Sequence, residues 1–325
     1  MSKNYKLLNT SLGSDWDIFN LKSKDSSVFA NTDYLKSTNA KLGLYKILNS
    51  DEIRAQIFLV ENDCGDEVIE DDLVIYSGII FGNSTNNQNK AQVLSERFDI
   101  LSFFIKEITK KYKKINLSLN PSIKDIRPFQ WHNYKKKEYI FTTNIKYTSY
   151  IDIKDFKRDR DLLNIECFRN ASSSRRQEIR YSKKNKLKFS KSSNIEIFLR
   201  FYKDSLTKQS IFIPEKEINR IRNLLNDLIA LGIAHIFCSH NIEGEIASIA
   251  IFIVEEFKAY YMFGASNHEE RNSFSGTHVL WESFFELAEM GIQLVDLEGV
   301  NSPKRGWFKL SFGGELIPYY KVSYQ

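Results

Sequence analysis

Residues 259–263 read AYYMF and close on Gly264, residues 277–291 read THVLWESFFELAEMG, and residues 292–303 read IQLVDLEGVNSP. The first run is aromatic-rich and reads as a strand. A polar loop, residues 265–276, separates it from a helix that carries Leu280, Phe284 and Leu287 on one face. Gly291 stands where a helix-stopping glycine belongs, and Ile292 to Leu297 resumes as a strand before Asn301-Ser302-Pro303. The same order occurs earlier. Leu73 to Phe81 is β-rich and ends at Gly82, residues 83–89 are polar, and Leu94, Phe98, Leu101, Ile105 and Ile108 form a helical stripe. Ile115 to Leu119 and Asn120-Pro121 follow. The offsets from Gly82 to Gly264, Leu117 to Leu297 and Asn120 to Asn301 are 182, 180 and 181 residues. A strand–loop–helix–strand unit repeated at that spacing predicts an α/β protein with mixed sheets and two like domains.

The boundary is expected near Tyr147 to Lys154, where residues 147–153 alternate as a strand, giving domains 1–150 and 151–325. Ser174 with Gln177 reads as a capping box opening a basic helix. Asn194–Leu206 and Glu215–Leu231 read as amphipathic helices, and Ala234–Cys238 and Ile246–Val254 as strands.

A chain of 325 residues with 42% hydrophobic and 27% charged residues suffices for two cores. A net charge of +5 suits an anionic ligand without marking a nucleic-acid protein. Three cysteines without a CxxC spacing argue against a disulfide framework or structural zinc and for a reducing compartment. No apolar leader follows Met1, and no apolar run spans a bilayer. The expected location is the cytoplasm, with peripheral contact to the inner membrane left open. P-loop, Rossmann, HExxH and EF-hand patterns are absent, and no metal or permanently bound cofactor is expected.

Several ordered segments resemble the FemABX-like branch of the GNAT acyltransferase superfamily. They are Asp15-Trp16-Asp17-x-Phe19 with Ser27-Val28-Phe29, Asp125-Ile126-Arg127-Pro128-Phe129-x-Trp131-x-Asn133-Tyr134, and Tyr147-Thr148-x-Tyr150-Ile151-Asp152. Arg175-Arg176-x-x-Ile179-Arg180 follows, then Tyr260-Tyr261-x-x-Gly264, Asp296-x-x-Gly299-Val300 and Phe308-Lys309-x-x-Phe312-Gly313-Gly314. The resemblance runs over most of the chain. It implies two tandem GNAT-like acyl-CoA N-acyltransferase domains, and transfer of an acyl group to an amine of a cell-envelope precursor such as an amino-sugar nucleotide. The long coiled-coil arm of tRNA-engaging relatives has no counterpart here, which favours an acyl-CoA or acyl carrier protein thioester as co-substrate over aminoacyl-tRNA. Glu298 stands where that branch more often has a neutral residue.

Under that resemblance, Arg271, Ser275, Gly276 and Thr277 would cradle the donor's pyrophosphate at a helix N-terminus, though the same residues also fit an ordinary capped loop. Asp296 and Glu298 share one strand face, with Lys304, Arg305 and Lys309 close behind to balance their charge. Lys309, Asp296 and Glu298 are the catalytic candidates: a carboxylate to take the amine proton and an ammonium to stabilise developing negative charge. A structural ion network fits the same three residues. Arg175, Arg176, Tyr261 and Arg305 are the substrate-binding candidates. The basic run from Arg175 to Lys191 fits a nucleotide-sugar pyrophosphate, lipid headgroups or tRNA phosphates, and equally a solvated face. His132, and Cys238 with His240 as a thiol–imidazole pair, are weaker candidates. Three readings compete: a thioester-dependent N-acyltransferase, an aminoacyl-tRNA-dependent aminoacyltransferase acting on a peptidoglycan precursor, and a binding protein on a degenerate GNAT fold.

Overall fold

The computed structural model describes residues 4–84, 87–136, 138–267, 269 and 273–325. They form two compact units, residues 1–146 with 318–325, and residues 147–317. The division therefore falls just ahead of the expected cut after residue 150, and the last eight residues belong with the first unit.

In the first unit the elements are β1 (Tyr5–Asn9), α1 (Ser14–Lys22), α2 (Thr32–Ser37), β2 (Lys41–Asn49), β3 (Glu52–Glu61), β4 (Glu67–Val68) and β5 (Gly78–Phe81). They continue with α3 (Lys90–Lys111), β6 (Lys114–Ser118), α4 (Arg127–Trp131) and the start of β7 (Phe141–Asp152). β1, β2 and β3 form an antiparallel meander. β4 pairs antiparallel with β3 and parallel with β6. The chain's last strand returns to pair with β6, Lys321 opposite Ser118.

The second unit holds the rest of β7, α5 (Glu166–Asn170), α6 (Ser173–Lys184), β8 (Lys188–Ser192), α7 (Ile195–Thr207), α8 (Glu215–Ala230) and β9 (Ala234–His240). It continues with β10 (Ile246–Val254), β11 (Lys258–Ser266), α9 (Ser275–Glu289), β12 (Leu294–Asp296), α10 (Pro303–Leu310) and the start of β13 (Glu315–Tyr324). Here β8, β9, β10 and β11 are antiparallel, β11 runs parallel with β12, and β12 pairs with β7.

The two ladders are the same. β1, β2 and β3 correspond to β8, β9 and β10. β6 corresponds to β12, and the strand that pairs with it comes from β13 in the first unit and from β7 in the second. The counterpart of β11 is split, because β4 and β5 both pair with β3, at Glu61 and at Ala55 to Phe58 respectively. This corrects the expected strand over residues 73–81: only Gly78–Phe81 is extended, after a small bridge between Asp71 and Val74.

The long helices follow their apolar stripes. In α3, Leu101, Ile105 and Ile108 are buried as expected, whereas Leu94 is exposed, since Ile100 and Phe104 carry the buried face instead. In α9, Leu280, Phe284 and Leu287 pack into a core with Ile151, Phe252, Val295 and Phe312. Gly291 adopts φ 91°, and the Ile292 amide reaches back to the Leu287 carbonyl at 3.0 Å. That is the left-handed helix stop expected from the sequence. The expected capping box at Ser174 and Gln177 is displaced: Ser172 is the N-cap of α6, and its hydroxyl accepts from the Arg175 amide. A serine two residues earlier serves the first turn with the same chemistry.

Candidate functional site

A cleft of about 410 Å³ opens in the second unit between β11, the start of α9 and α10. Its cause lies in the sheet. β12 pairs with β11 only over Leu294–Asp296 against Lys258–Tyr260, and beyond these residues the two parallel strands part. β11 also shifts register against β10 between Ile251 and Phe252, a bulge of the kind that re-aims a strand. Tyr261, Gly264, Ala265 and Ser266 line one wall, Ser275, Gly276 and Thr277 the helix end, and Phe308 the side.

Phe274, the N-cap of α9, is in the left-handed conformation, φ 61°, and its side chain caps nothing, while the Ser275 amide donates to the Ser273 hydroxyl at 3.3 Å. The first-turn amides of a helix have no partners within it and form a site for negative charge. Ser275 is buried and hydrogen-bonds the Ser248 hydroxyl at 2.7 Å, and Ser248 donates to Ser266 at 2.8 Å. Thr277 donates to Glu178 at 2.6 Å. Gly276 faces the Ser266 and Ser248 hydroxyls, its would-be Cβ at 3.8 and 3.9 Å from them. Ser275, Gly276 and Thr277 thus come together at the cleft. Arg271 lies outside the described residues.

The corresponding corner of the first unit is shut. There Asn89 and Gln92 form a reciprocal capping box over the start of α3. Arg54 pairs with Glu96 at 2.9 Å, both nearly buried, and the space beside Gly82 shrinks to about 10 Å³. Among the described residues, the helix end of the second unit faces a cleft of about 410 Å³ where that of the first faces about 10 Å³.

Asp296, fully buried, accepts hydrogen bonds from the Thr148 hydroxyl and from the Glu298 amide at 2.8 Å, with Lys258 Nζ 3.6 Å away. Lys258 also donates to the Tyr150 hydroxyl at 3.1 Å. Burial pulls the Lys258 ammonium down, but Asp296, Tyr150 and Glu255 raise it above its usual value, so it stays charged. Glu298 sits at φ 53°, a conformation that costs a non-glycine residue energy and is held by Asp296. Its Oε1 is buried with no hydrogen-bond partner. Burial pushes the Glu298 carboxyl well above the ordinary carboxylate range, opposed by Lys309 and reinforced by Asp296. Lys309 points at the Glu298 and Gly299 carbonyls, 3.4 and 3.5 Å from Nζ, and at the Tyr261 ring, 5.3 Å from its centroid. Burial pulls its ammonium below the usual value, against the pull of Glu298 and Asp296. The three catalytic candidates therefore form one cluster, adjoining the cleft through Tyr261.

Of the substrate-binding candidates, Tyr261 lines the cleft. Arg175 is 6% exposed and fully engaged. Its guanidinium lies over the Phe308 and Phe312 rings, 4.4 and 4.6 Å from their centroids, and bonds Glu178, Thr277 and Ser311. It ties α6, α9 and α10 together. Arg176 is half-buried and reaches Ser173, while Arg305 reaches Gln209 at 3.1 Å. Cys238 and His240 form no pair: the thiol is buried beside Ser192, and the imidazole bonds Ser190 at 2.8 Å. His132, partly buried, packs against Phe141 and Tyr324 in the first unit. Sequence reasoning missed Lys258, Tyr150 and Thr148, which hold Asp296. Only their position opposite it across β7, β11 and β12 marks them. Among the described residues no group of three potential ligands is placed to hold a metal ion, and no helix is long and apolar enough to cross a membrane.

Solved structures share this architecture. FemX matches with a TM-score of 0.64 at 13% identity, over 97% of this chain and 96% of its own. A tandem GNAT protein from the clavulanic acid biosynthesis pathway matches with 0.56 at 8% identity, over 99% and 98%. The C-terminal domain of a putative lysylphosphatidylglycerol synthetase from Agrobacterium fabrum matches with 0.54 at 12% identity, over 95% and 89%. No family model and no curated protein matches the chain. In fold, then, this is a mixed α/β chain of the tandem GNAT kind, similar to FemX.

Proposed function

We propose that the chain is an N-acyltransferase that moves an acyl group from a thioester, acyl-CoA or acyl carrier protein, to an amine of an envelope precursor such as an amino-sugar nucleotide. The observation that carries this reading is the start of α9, whose N-cap Phe274 offers no side-chain cap, at a cleft whose neighbouring cluster holds the buried Glu298 carboxyl with no hydrogen-bond partner for its Oε1 among the described residues. The helix end suits a pyrophosphate, and a carboxyl raised by burial above the ordinary carboxylate range suits a general base. The amine nitrogen attacks the thioester carbonyl. The C–N bond forms, the C–S bond breaks, and the amine proton passes to Glu298, directly or through water, and from there to the departing thiolate. Lys309 supplies positive charge beside the reacting carbonyl, and Asp296 holds Glu298 in place. Transfer chemistry at a coarser level is supported by the likeness to FemX and to a tandem GNAT protein from the clavulanic acid biosynthesis pathway.

Aminoacyl transfer is the second reading, favoured by the likeness to FemX and to the C-terminal domain of a putative lysylphosphatidylglycerol synthetase. The test offers purified protein acetyl-CoA, acyl carrier protein thioester or aminoacyl-tRNA, with amino-sugar nucleotides and peptidoglycan precursors as acceptors, and follows amide formation by mass spectrometry. An amide formed from a thioester and lost in Glu298→Gln is expected. Product only from aminoacyl-tRNA establishes the second reading. No product, together with no thermal stabilisation by any donor, leaves a binding protein on the same fold.

A further inference from the structure

A second cavity, about 490 Å³, adjoins the donor cleft, and Phe308 lines both. Its volume falls within the roughly 300–1,000 Å³ of small-molecule sites. Trp307 forms one wall and is 74% exposed, whereas Trp16 and Trp281 are 2% and 1% exposed. A tryptophan left this open contributes nothing to the core, and its flat face is free to cover an apolar surface.

Beside the apolar Phe308 and Leu310 the lining is polar, with Arg175 as its one charged residue. The Ser172 and Ser174 hydroxyls lie 3.0 Å apart and hydrogen-bond each other, so one of their two protons remains to be donated elsewhere. Asn170, exposed on the same lining, adds an amide that both donates and accepts. Ser311 is spent on Arg175 and on the Phe308 carbonyl, at 2.9 and 2.7 Å. Arg175, the one charged residue of this lining, is matched by Glu178 and covered by two phenyl rings. The cavity thus offers a flat apolar ring, small hydroxyls and an amide, with no free charge. A phosphodiester would seek free cations, and a lipid surface more than one exposed apolar ring. A pyranose fits: its C–H face covers the indole while its hydroxyls exchange hydrogen bonds with Ser172, Ser174 and Asn170.

We infer that this cavity is a saccharide subsite in which Trp307 stacks on a pyranose ring. That the sugar belongs to the acceptor rests on the transfer reaction proposed above. The binding itself does not.

The test uses the full chain carrying Trp131→Phe, which removes the other half-exposed indole, 52% exposed in the native chain. Titration with N,N′-diacetylchitobiose is followed by indole emission, and in single variants of the native chain by ligand-observed NMR. A saturable emission change is expected. Trp307→Ala should weaken binding roughly tenfold, the loss of one apolar contact face, and Asn170→Ala should weaken it several-fold. Because both side chains are exposed, the variants should keep the native melting temperature. Affinity unchanged in Trp307→Ala overturns the inference. So does an absence of saccharide binding, or binding of a CCA trinucleotide instead with steep salt dependence. Saccharide binding without any acyl transfer leaves the subsite standing and removes the reaction. Transfer without saccharide binding does the reverse.

Discussion

The Tyr261 hydroxyl occupies the space in which a side chain at Gly264 would begin, 1.8 Å from an ideal Cβ there. The ring leans forward along its own strand to line the cleft, and only a glycine three residues later leaves room for it. Gly264→Ala should therefore push the Tyr261 ring aside. A donor affinity at least tenfold weaker is expected by calorimetry, with a stability loss within the roughly 1–3 kcal/mol of an overpacked site.

Glu298→Gln keeps the shape of the side chain and removes its proton-accepting role. Turnover should fall by roughly 10²–10⁴-fold, the usual share of a general base, with donor affinity retained. In the native enzyme kcat should rise with pH as the burial-raised carboxyl ionises. A pH–rate profile of both proteins checks this, and an unchanged profile in the variant removes Glu298 from the reaction.

The same carboxyl links stability to pH. Its folded value is raised, so the folded chain keeps a proton that the unfolded chain has released. Its contribution to stability is complete below the ordinary carboxylate range and is lost as pH rises through the folded value. Lys309, held below its usual value, acts with the opposite sign: its contribution is complete above the ordinary lysine range and is lost as pH falls through its lowered value. Melting temperatures across pH should show the Glu298→Gln variant gaining on the native protein from the ordinary carboxylate range up to the raised Glu298 value.

Lys258→Met takes from buried Asp296 the ammonium that lies 3.6 Å away in the native protein. Breaking one partner of a buried pair costs about 3–5 kcal/mol, measurable by urea denaturation. Because Asp296 holds Glu298, turnover should fall as well. A variant of native stability would show that the pair is dispensable.

Asn89→Ala removes the cap of α3 in the first unit. A loss of about 1 kcal/mol is expected, with kcat and KM unchanged. A change in donor affinity instead would show that this helix end, too, meets a ligand.

Much of the fold is legible in local pattern. The stripe of α9, its stop at Gly291 and the buried strand Ile246–Val254 follow from side-chain period and backbone freedom, which depend on near neighbours. Misreadings occur where distant packing decides. Leu94 continues an apolar stripe yet is exposed, because Ile100 and Phe104 turn the buried face of α3. Residues 73–77 look extended but form no long strand, because β4 and β5 divide the place beside β3 between them. At the site, Asp296, Glu298 and Lys309 stand out by spacing. Their different surroundings do not, since Thr148 and Lys258 arrive from other strands.

By itself the sequence determined the repeated strand–helix–strand order, the helix faces and the candidate residues, because each follows from the period and chemistry of adjacent side chains. Only the tertiary structure decided which corner of the two units stays open. Burial and pairing are properties of what the folded chain brings near: Arg54 with Glu96 closes one corner, the parting of β11 from β12 opens the other, and enclosure raises the carboxyl of Glu298 while Lys258 keeps Asp296 matched.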